Sequence, residues 1–519
     1  MDSCRRSVLA AVTRIAASQV QPGMKNQPQL IAYVDRFSGG TFRDLLHLLE
    51  GPLNGVFGGV HVLPFFHPID GADAGFDPID HTRVDERLGT WDDVRALAAR
   101  MDVMADVIVN HVSRRSPQFR DYDDRGSASP YAGMFLTLST VFPQGARESE
   151  LLALYRPRPG LPFTRHQTAH GPEVLLWTTF TSEQIDIDVY HPEGRRYLAN
   201  VLDRMQGARV RAIRVDAVGY AVKKAGTSCF MIPETFDFIA EFTAQAHARG
   251  IEVLMEVHGH YQEQIEIAGR VDWVYDFALP PLVLHTLYTR HTAHLKRWIE
   301  IRPRNAITVL DTHDGIGVVD AATDRHGRPG LLPPADIDAI VETIHRRSRG
   351  GSRQATGAAA NNLDLYQVNC TFYDALGRHD SEYLIARAIQ CFLPGIPQIY
   401  YVGLLAGAND VELLQRTGVG RDINRHYYTA SDVRQQMTRA VVQSLLSLLR
   451  LRNVHHAFTG TLTVAPSEDD RLALEWAHGA EFARLEVNLT EMFASITCSS
   501  GGTGPAGTVA WHSNAEAPA

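Results

Sequence analysis

Eight apolar, β-branched runs of strand length recur along this chain of 519 residues, and they constrain its fold more than any other feature. Amphipathic, helix-like stretches such as 90–100, 192–206 and 233–249 lie between them. Strands that are apolar throughout and alternate with helices are typical of a parallel sheet covered on both faces. Eight such units predict an α/β fold, a (β/α)8 TIM barrel, with an open doubly wound sheet as the alternative. The runs are residues 29–37, 59–66, 104–112, 211–218, 251–258, 273–279, 306–314 and 394–403.

Two intervals between runs, from His111 to Arg211 and from Asp314 to Pro394, are too long for a simple β-to-α loop. Long insertions on the rim of a barrel commonly build the substrate site. After the helix-like segment 432–453, short alternating runs predict a small all-β domain and then a Gly/Pro/Ala-rich tail. We expect an N-terminal tail (1–23), three barrel segments (24–112, 191–314 and 379–457), two inserted rim subdomains (113–190 and 315–378), a C-terminal β domain (458–505) and a disordered tail (506–519).

The amino-acid composition excludes some classes of binding partner. Hydrophobic residues make up 45% and charged residues 21% of the chain, as in ordinary soluble proteins. The formal charge of -9 is spread without a basic block, and no apolar window is long enough for a membrane span, so we expect neither nucleic acid nor membrane as a partner. The five cysteines are odd in number and lack a C-x-x-C pair, which favours a reducing cytoplasm.

The stretch IRVDAVGY, residues 213–220, places Arg214 and Asp216 inside an apolar run. Ionised groups there cost several kcal/mol unless they are paired or employed. Polar groups also stand at the ends of other runs and in the loop that follows the second one: Asn110, His111, Glu256, His258, His313 and Asp314, with Asp73, Phe76 and Asp77 in the loop. In a barrel these positions converge on one pocket at the mouth.

Three carboxyl groups, those of Asp216, Glu256 and Asp314, are thereby expected to become neighbours. Burial and mutual repulsion should raise the pKa of one of them, while an adjacent arginine keeps another ionised. Arg214 lies two residues from Asp216, on the same side of the strand, and is expected to hold that carboxylate charged. One ionised nucleophile and one protonated acid match cleavage of a glycosidic bond with retention of configuration.

Single residues of this set also have structural interpretations. A lone strand-end aspartate such as Asp216 is often a helix N-cap or a loop anchor. His111 and His313, taken alone, would more often be core histidines. Asp186 and Asp188 could be carboxylates of the rim, but we favour a structural role for both.

The loop aspartates Asp73, Asp77 and Asp80 raise the question of a metal. They lack the spacing of an EF-hand, so we favour hydrogen bonding within the loop. What favours a functional site is the joint placement of polar groups at the ends of four runs.

Four segments, IRVDAVGY, LMEVHG, TVLDTHDG and DVIVNH, resemble the motif regions of the α-amylase superfamily of glycoside hydrolases. Within it the chain is similar to the sucrose phosphorylase subgroup from about Met24 to about Phe458. The segments that carry this closer likeness are GFDPIDHTRVDERLGTWDDV, YRPRPGLPF, AGTSCFM, YDFALPP, LDTHDGIGV, NLDLYQVN and GRDINRHYY. The likeness weakens in the C-terminal β domain.

The resemblance implies a role for each site residue. Asp216 would be the nucleophile, Glu256 the general acid and then base, and Asp314 the stabiliser of the transition state. The glucosyl unit would be bound by Arg214, His111, His313, Asp73, Phe76 and Arg421, and the leaving-group side would be shaped by His258, Tyr220, Asp364 and Gln367. Asp73 and Arg421 suit a forked pair of hydrogen bonds to sugar hydroxyls. Neither a cofactor nor a metal is implied.

The substrates implied are sucrose and inorganic phosphate. Because the carboxylates of the pocket would repel phosphate, a cation is needed, and Arg158, with Tyr155 and Tyr366 of the 363–367 loop, is the candidate. The alternative for Arg158 is an ordinary loop salt bridge. A homodimer is one option for the assembly.

Other functions remain open. One is a phosphorylase of a related glucoside, such as sucrose 6'-phosphate or glucosylglycerate, and the loops at 155–158 and 363–367 would decide this. Another is a hydrolase or transglucosidase, which differs in whether water or a sugar replaces phosphate as the acceptor. A catalytically dead sugar-binding relative is disfavoured, since all three carboxylates are present.

Overall fold

Eight parallel strands close into a barrel, and each overlaps one of the eight apolar runs. The strands are β1 (Gln29–Ala32), β2 (Gly59–Val62), β3 (Asp102–Ile108), β4 (Ala212–Asp216), β5 (Glu252–Met255), β6 (Trp273–Asp276), β7 (Ala306–Thr308) and β8 (Ile396–Tyr400). β1 pairs with both β2 and β8, which closes the sheet and excludes the open alternative. The computed structural model describes residues 23–71, 73–157, 160–169, 171–324, 327–359, 367–499 and 508–514.

Helices connect the strands, and their ends follow local chemistry. Trp91–Ala98 begins after Thr90, which forms a capping box with Asp93, and Pro192–Gly207 has proline in its first turn. The other α-helices are Val34–Phe37, Phe42–Glu50, Pro117–Arg125, Leu138–Val141, Glu148–Ala153, Pro233–His247, Tyr261–Ala268, Leu279–Thr289, Ala293–Ile301, Pro334–Arg347, Gly351–Ala359, Phe372–Ala375, Asp380–Phe392, Tyr401–Leu404, Val411–Thr417, Ala430–Gln436 and Ala440–Val454. Short 3-10 helices lie at Gly126–Ala128, Val218–Tyr220, Val319–Ala321, Gly420–Asn424 and His456–Thr459.

The segment 432–453, which the sequence predicts as one helix, is two. Ala430–Gln436 and Ala440–Val454 are separated by a turn. The first helix begins at a capping box between Thr429 and Asp432. The apolar periodicity continues across the whole segment and therefore does not indicate that the helix is interrupted.

Small antiparallel sheets occupy the connections on the rim. After β3, Phe163–Gln167 pairs with Glu173–Trp177, and His111–Ser113 pairs with Gln184–Asp186. Two further pairs are Phe66–His67 with Asp80–Val84, after β2, and Ile316–Gly317 with Gln367–Val368, after β7. Inserted small sheets thus flank the mouth of the barrel, as the two long intervals predict. The exact division into domains stays a prediction.

The C-terminal part is an antiparallel sheet of β9 (Thr461–Ala465), β10 (Arg471–His478), β11 (Glu481–Asn488), β12 (Phe493–Cys498) and β13 (Thr508–His512). The expectation of a disordered tail over 506–519 is wrong for β13. Trp511 is buried there, and its Nε1 donates to the carbonyl of Ser444 at 2.9 Å. This single aromatic anchor holds a strand that the Gly/Pro-rich composition around it concealed.

The predicted N-terminal tail lies, apart from Gly23, outside the described residues. Among the helices that the structure describes, none is long and apolar enough to cross a membrane.

Candidate active site

The carboxyl groups of three sequence-distant residues meet at the mouth of the barrel. Asp216 ends β4, Glu256 directly follows β5, and Asp314 lies shortly after β7. The guanidinium of Arg214 joins two of them, since its Nη1 is 3.1 Å from Asp216 Oδ1 and its Nη2 is 2.8 Å from Glu256 Oε1. Ligand atoms of Glu256, Asp314 and His258 all lie within 4.8 Å of one another. The strand ends therefore bring the predicted carboxylates together.

Arg214 is shared between carboxylates, which corrects the expectation that it keeps Asp216 ionised. Burial and then the neighbouring Glu256 raise the pKa of Asp216 well above its usual range, and the opposing effect of Arg214 is smaller. Two buried carboxyl groups on one guanidinium cannot both be charged without cost. Burial and the neighbouring Glu256 therefore favour the neutral form of Asp216 in the empty pocket.

Asp314 has the opposite environment. Arg421 Nη1 lies 2.9 Å from Asp314 Oδ1, and Arg425 Nη2 lies 3.7 Å from the same oxygen. Although burial opposes the charged form, the guanidinium groups of Arg421 and Arg425 hold the pKa of Asp314 well below its usual range. Asp314 is therefore ionised at neutral pH.

Asp106 lies beneath these carboxylates and was not singled out from the sequence. It is fully buried and bonds both Arg214 Nη1 and His61 Nε2, the latter at 3.0 Å. Despite its burial, Arg214 and His61 lower the pKa of Asp106 to about 2. Its charge lies inside the apolar run 104–112, the same signal that identified Arg214, but that signal alone does not pair it with Arg214.

A flat apolar surface adjoins the carboxylates. The rings of Phe76 and His313 are stacked at 4.9 Å with an interplanar angle of 11°, and Arg214 lies 5.5 Å from the Phe76 ring centre. His111 Nε2 is 3.0 Å from the carbonyl oxygen of Phe76. Burial lowers the pKa of both His111 and His313, so both are neutral at pH 7. Neutral rings beside a stacked phenyl suit the apolar face of a pyranose.

The loop aspartates mainly bond within their own loop. The backbone N–H of Asp73 donates to Asp77 Oδ1 at 3.2 Å, and Asp80 Oδ1 accepts from the N–H and the hydroxyl of Thr82. The charge of Asp73 acts on both His111 and Tyr33, which places it at the edge of the pocket.

His258 is held in place by its neighbours. Its Nδ1 lies 3.1 Å from Asp320 Oδ2, and its ring stacks on Phe277 at 3.9 Å. Gln367 Nε2 lies 3.3 Å from His258 Nε2. Burial disfavours the cation, but Asp320 outweighs it and raises the pKa of His258.

Aromatic rings from separate loops form a wall beside Asp216. Tyr155 stacks on Phe230 at 4.3 Å, and Tyr220 lies 4.7 Å from Phe230 and 6.1 Å from Tyr155. Phe180 packs edge-on against Tyr220 at 5.2 Å. Phe180 and Phe230 were not predicted from the sequence, since nothing in their loops shows periodicity. Three predicted contacts, Arg158, Asp364 and Tyr366, lie outside the described residues.

A buried lysine ties the end of β3 to the insertion. Lys223 Nζ is 2.7 Å from both Asp186 Oδ2 and Asn110 Oδ1. Asp186 also accepts from the backbone N–H of Thr179 at 3.0 Å. Asp188 Oδ1 accepts from the N–H of Tyr190 at 2.9 Å. These contacts give both aspartates structural partners.

The oxygens and nitrogens of Glu256, His258 and Asp314 are close enough to hold a cation. However, Arg214 and Arg421 already lie within 3 Å of the two carboxylates, so their charge is compensated by the protein itself. The arrangement is suited to proton transfer and nucleophilic attack on one substrate atom.

Comparison with known proteins decides the family. Residues 56–286 match the α-amylase family, described as the catalytic domain of alpha amylase. The chain is 60% identical to a sucrose phosphorylase of Agrobacterium vitis, over 92% of this chain and 98% of the relative. The chain belongs to the sucrose phosphorylase family. Another sucrose phosphorylase, from Bifidobacterium adolescentis, is 53% identical over 87% of this chain and 90% of its own.

The family assignment agrees with a solved structure. The crystal structure of sucrose 6F-phosphate phosphorylase from Thermoanaerobacter thermosaccharolyticum superimposes with a TM-score of 0.87 at 36% identity, covering 95% of this chain and 99% of that chain. The barrel, the inserted small sheets and the C-terminal sheet of the sucrose phosphorylase family are thus all present.

Proposed function

We propose that this protein transfers the glucosyl unit of sucrose to inorganic phosphate, releasing D-fructose and α-D-glucose 1-phosphate. The observation that carries the proposal is the bridge that Arg214 makes between the buried carboxyl groups of Asp216 and Glu256. One nucleophile and one acid/base beside the same atom are what a double displacement with retention needs. Membership of the sucrose phosphorylase family supports the choice of substrates.

In the first half-reaction, Glu256 gives its proton to the oxygen that bridges glucose and fructose. That bond breaks, fructose leaves with the proton, and Asp216 forms an ester with the anomeric carbon. The productive form has the proton on Glu256 and the charge on Asp216. The hydrogen bond that Glu256 donates to the bridging oxygen favours this form, and Arg214 stabilises the charge on Asp216.

Asp314 stabilises the positive charge that develops on the sugar ring between the two states. A carboxylate can do this only if it stays ionised, and Arg421 beside it supports that condition. Phe76, stacked on His313, offers the surface for the ring. Arg214, His111, Asp73 and Arg421 are proposed to bind its hydroxyls, and Arg421 also pairs with Asp314.

In the second half-reaction, a phosphate oxygen attacks the anomeric carbon, the ester bond to Asp216 breaks, and Glu256 takes the proton of the phosphate if it carries one. Arg158, with Tyr155 and Tyr366, is proposed to offset the charge of the phosphate. Tyr155 supports this placement, because it stacks in the aromatic wall beside Asp216. Tyr220, His258, Asp364 and Gln367 are proposed to shape the fructose side.

The test is to supply the purified protein with sucrose and phosphate and to measure glucose 1-phosphate, its anomer and free glucose. We expect the α-anomer as the main product, with free glucose in the minority. Parallel reactions with sucrose 6'-phosphate and glucosylglycerate should be slower. Faster reaction with either would reassign the substrate, and free glucose as the main product would make the protein a hydrolase.

A cytoplasmic location is part of the proposal. The cysteines in the described part of the chain, Cys229, Cys370, Cys391 and Cys498, are free and buried, as suits a reducing compartment. A homodimer stays a prediction, and light scattering of the purified protein measures it directly.

A further inference from the structure

Two histidines and an aspartate from three neighbouring helices come together outside the pocket described above. Ligand atoms of His285, His294 and Asp336 all lie within 4.8 Å of one another. Their helices are Leu279–Thr289, Ala293–Ile301 and Pro334–Arg347. Helices are rigid supports, so this geometry does not depend on a loop closing.

His285 is buried without adequate hydrogen bonds. Only 5% of its surface is exposed, and its Nδ1 is buried without a hydrogen-bond partner. Its Nε2 lies 3.4 Å from Asp336 Oδ2, which is longer than an ordinary hydrogen bond between nitrogen and oxygen. A buried imidazole in this state calls for an explanation, since nearly all buried polar groups have partners.

The spacing of these atoms suits a metal ion better than a hydrogen bond. In a tetrahedral zinc site, with metal–ligand distances of about 2.0–2.1 Å, neighbouring ligand atoms lie about 3.4 Å apart. This equals the separation of His285 Nε2 and Asp336 Oδ2. The ring of His294 stands 5.2 Å from that of His285 at an angle of 86°, so the two rings approach from different directions.

We propose that His285, His294 and Asp336 form a binding site for a divalent transition-metal ion of the zinc type. Two imidazoles and a carboxylate are ligands that Zn²⁺ prefers, whereas Mg²⁺ and Ca²⁺ prefer oxygen alone. His294 and Asp336 are half-buried, so the fourth position of the ion is open to water. The ion ties the helix Pro334–Arg347, in the insertion after β7, to two helices that follow β6.

The experiment uses Zn²⁺ as the probe on the full-length protein, first stripped with a chelator. After equilibration with Zn²⁺ and removal of the excess, bound zinc is measured by mass spectrometry, and the thermal midpoint is measured with and without zinc. The variants are His294→Ala and Asp336→Asn, both at half-buried positions where folding is expected to survive. The matched control is His291→Ala, since His291 is an exposed histidine of the same region that pairs with Asp469.

We expect the wild type and His291→Ala to hold one equivalent of zinc more than His294→Ala and Asp336→Asn. Zinc should raise the thermal midpoint by a few degrees in the first two proteins only. Zinc held by the cluster of Glu256, His258 and Asp314 would be equal in all four, so the difference isolates the proposed site. Equal zinc content, or an equal shift of the midpoint, in all four proteins would overturn the proposal and leave an ordinary His–Asp pair.

Discussion

Two sides of the pocket are built in different ways. We call Arg214, Asp216, Glu256, Asp314 and Arg421 the catalytic floor, and Tyr155, Tyr220, Phe230, His258 and Gln367 the acceptor wall. The floor consists of four charged groups at or near the ends of barrel strands and of Arg421 from the 3-10 helix Gly420–Asn424, linked by ion pairs of 2.8–3.1 Å. The wall consists mostly of ring contacts of 4–6 Å between loops.

The difference reflects what each side has to do. The carboxyl groups of the floor must keep pKa values that differ from one another in a fixed order. This requires burial and paired counterions on rigid elements. Under the proposed function, the wall receives the leaving fructose and the arriving phosphate, two ligands of different shape and charge. Weak, sequence-tolerant ring contacts allow this exchange. We therefore expect changes in the floor to reduce turnover and changes in the wall to alter acceptor use.

The largest effect is expected from Asp216→Asn. Without the nucleophile the ester cannot form, so turnover of sucrose should fall by more than about three orders of magnitude. Circular dichroism should show an unchanged fold. The matched control is Asp188→Asn, which alters a carboxylate that bonds only the nearby backbone of Tyr190 among the contacts described. Comparable losses in both variants would remove Asp216 from its role.

A smaller loss is expected from Arg421→Ala, which removes the nearest counterion of Asp314. A hydrogen bond to a charged group contributes about 1.5–3 kcal/mol, so kcat/KM should fall roughly 10- to 100-fold. The pKa of Asp314 should also rise, and the acid limb of the pH–rate profile should move to higher pH. Arg416→Ala, at an exposed position five residues away, is the control. An acid limb that stays in place would show that Arg421 does not tune Asp314.

The floor could be predicted from the sequence because two signals coincide in it. Arg214 and Asp216 are charged residues in an apolar run, and the barrel places the ends of all runs at one rim. Its partner Asp106 needed one more fact, the register in which Arg214 pairs with Asp106 across β3 and β4. Strand register depends on the packing of neighbouring strands, which a single sequence does not display.

The wall could be predicted only in part, and only through family resemblance. Tyr155, Tyr220 and Phe230 lie in matching motifs, but the contacts among them and with Phe180 depend on loop conformations that have no periodic pattern. The strand Thr508–His512 was missed for a related reason, since its one buried anchor, Trp511, is preceded by a Gly-rich segment. Where a segment is held by the contact of one side chain rather than by a repeating pattern, its composition does not predict its structure.

Tyr155→Ala tests the wall with an effect smaller than those in the floor. Loss of a ring pair costs about 0.5–1.5 kcal/mol, so the KM for phosphate should rise roughly 2- to 10-fold while release of fructose changes less. The control is Tyr190→Ala, because Tyr190 has the same exposed fraction, 37%, but packs on Phe238. If phosphorolysis and sucrose cleavage fall together, the wall does not act on the acceptor alone.

The smallest effect concerns His258, the histidine of the wall. Asp320 raises the pKa of His258 above its value in the unfolded chain, so the folded protein binds this proton more tightly. The protonated form of His258 therefore stabilises the folded protein fully at a pH below the pKa of this histidine in the unfolded chain. This stabilisation is lost as the pH rises through the pKa of His258 in the folded protein. In the floor, neither Asp314 nor Arg214 changes its charge near neutral pH. The pKa of Asp314 lies far below neutral pH and that of Arg214 far above it.

His258→Gln isolates this contribution. We expect the wild type to have a higher free energy of unfolding than the variant, and this advantage to be larger at about pH 5.5 than at about pH 8.5. The advantage should change between the two pH values by on the order of 1 kcal/mol, as for one hydrogen bond to a charged group. Urea unfolding at both pH values measures it. The control is His247→Gln, because His247 pairs with Asp272 at 2.7 Å on the surface, with 49% of its side chain exposed, where solvent weakens such pairs. A difference that grows with rising pH, or one equal in both variants, would mean that the acceptor wall carries no buried charge and is held by ring packing alone.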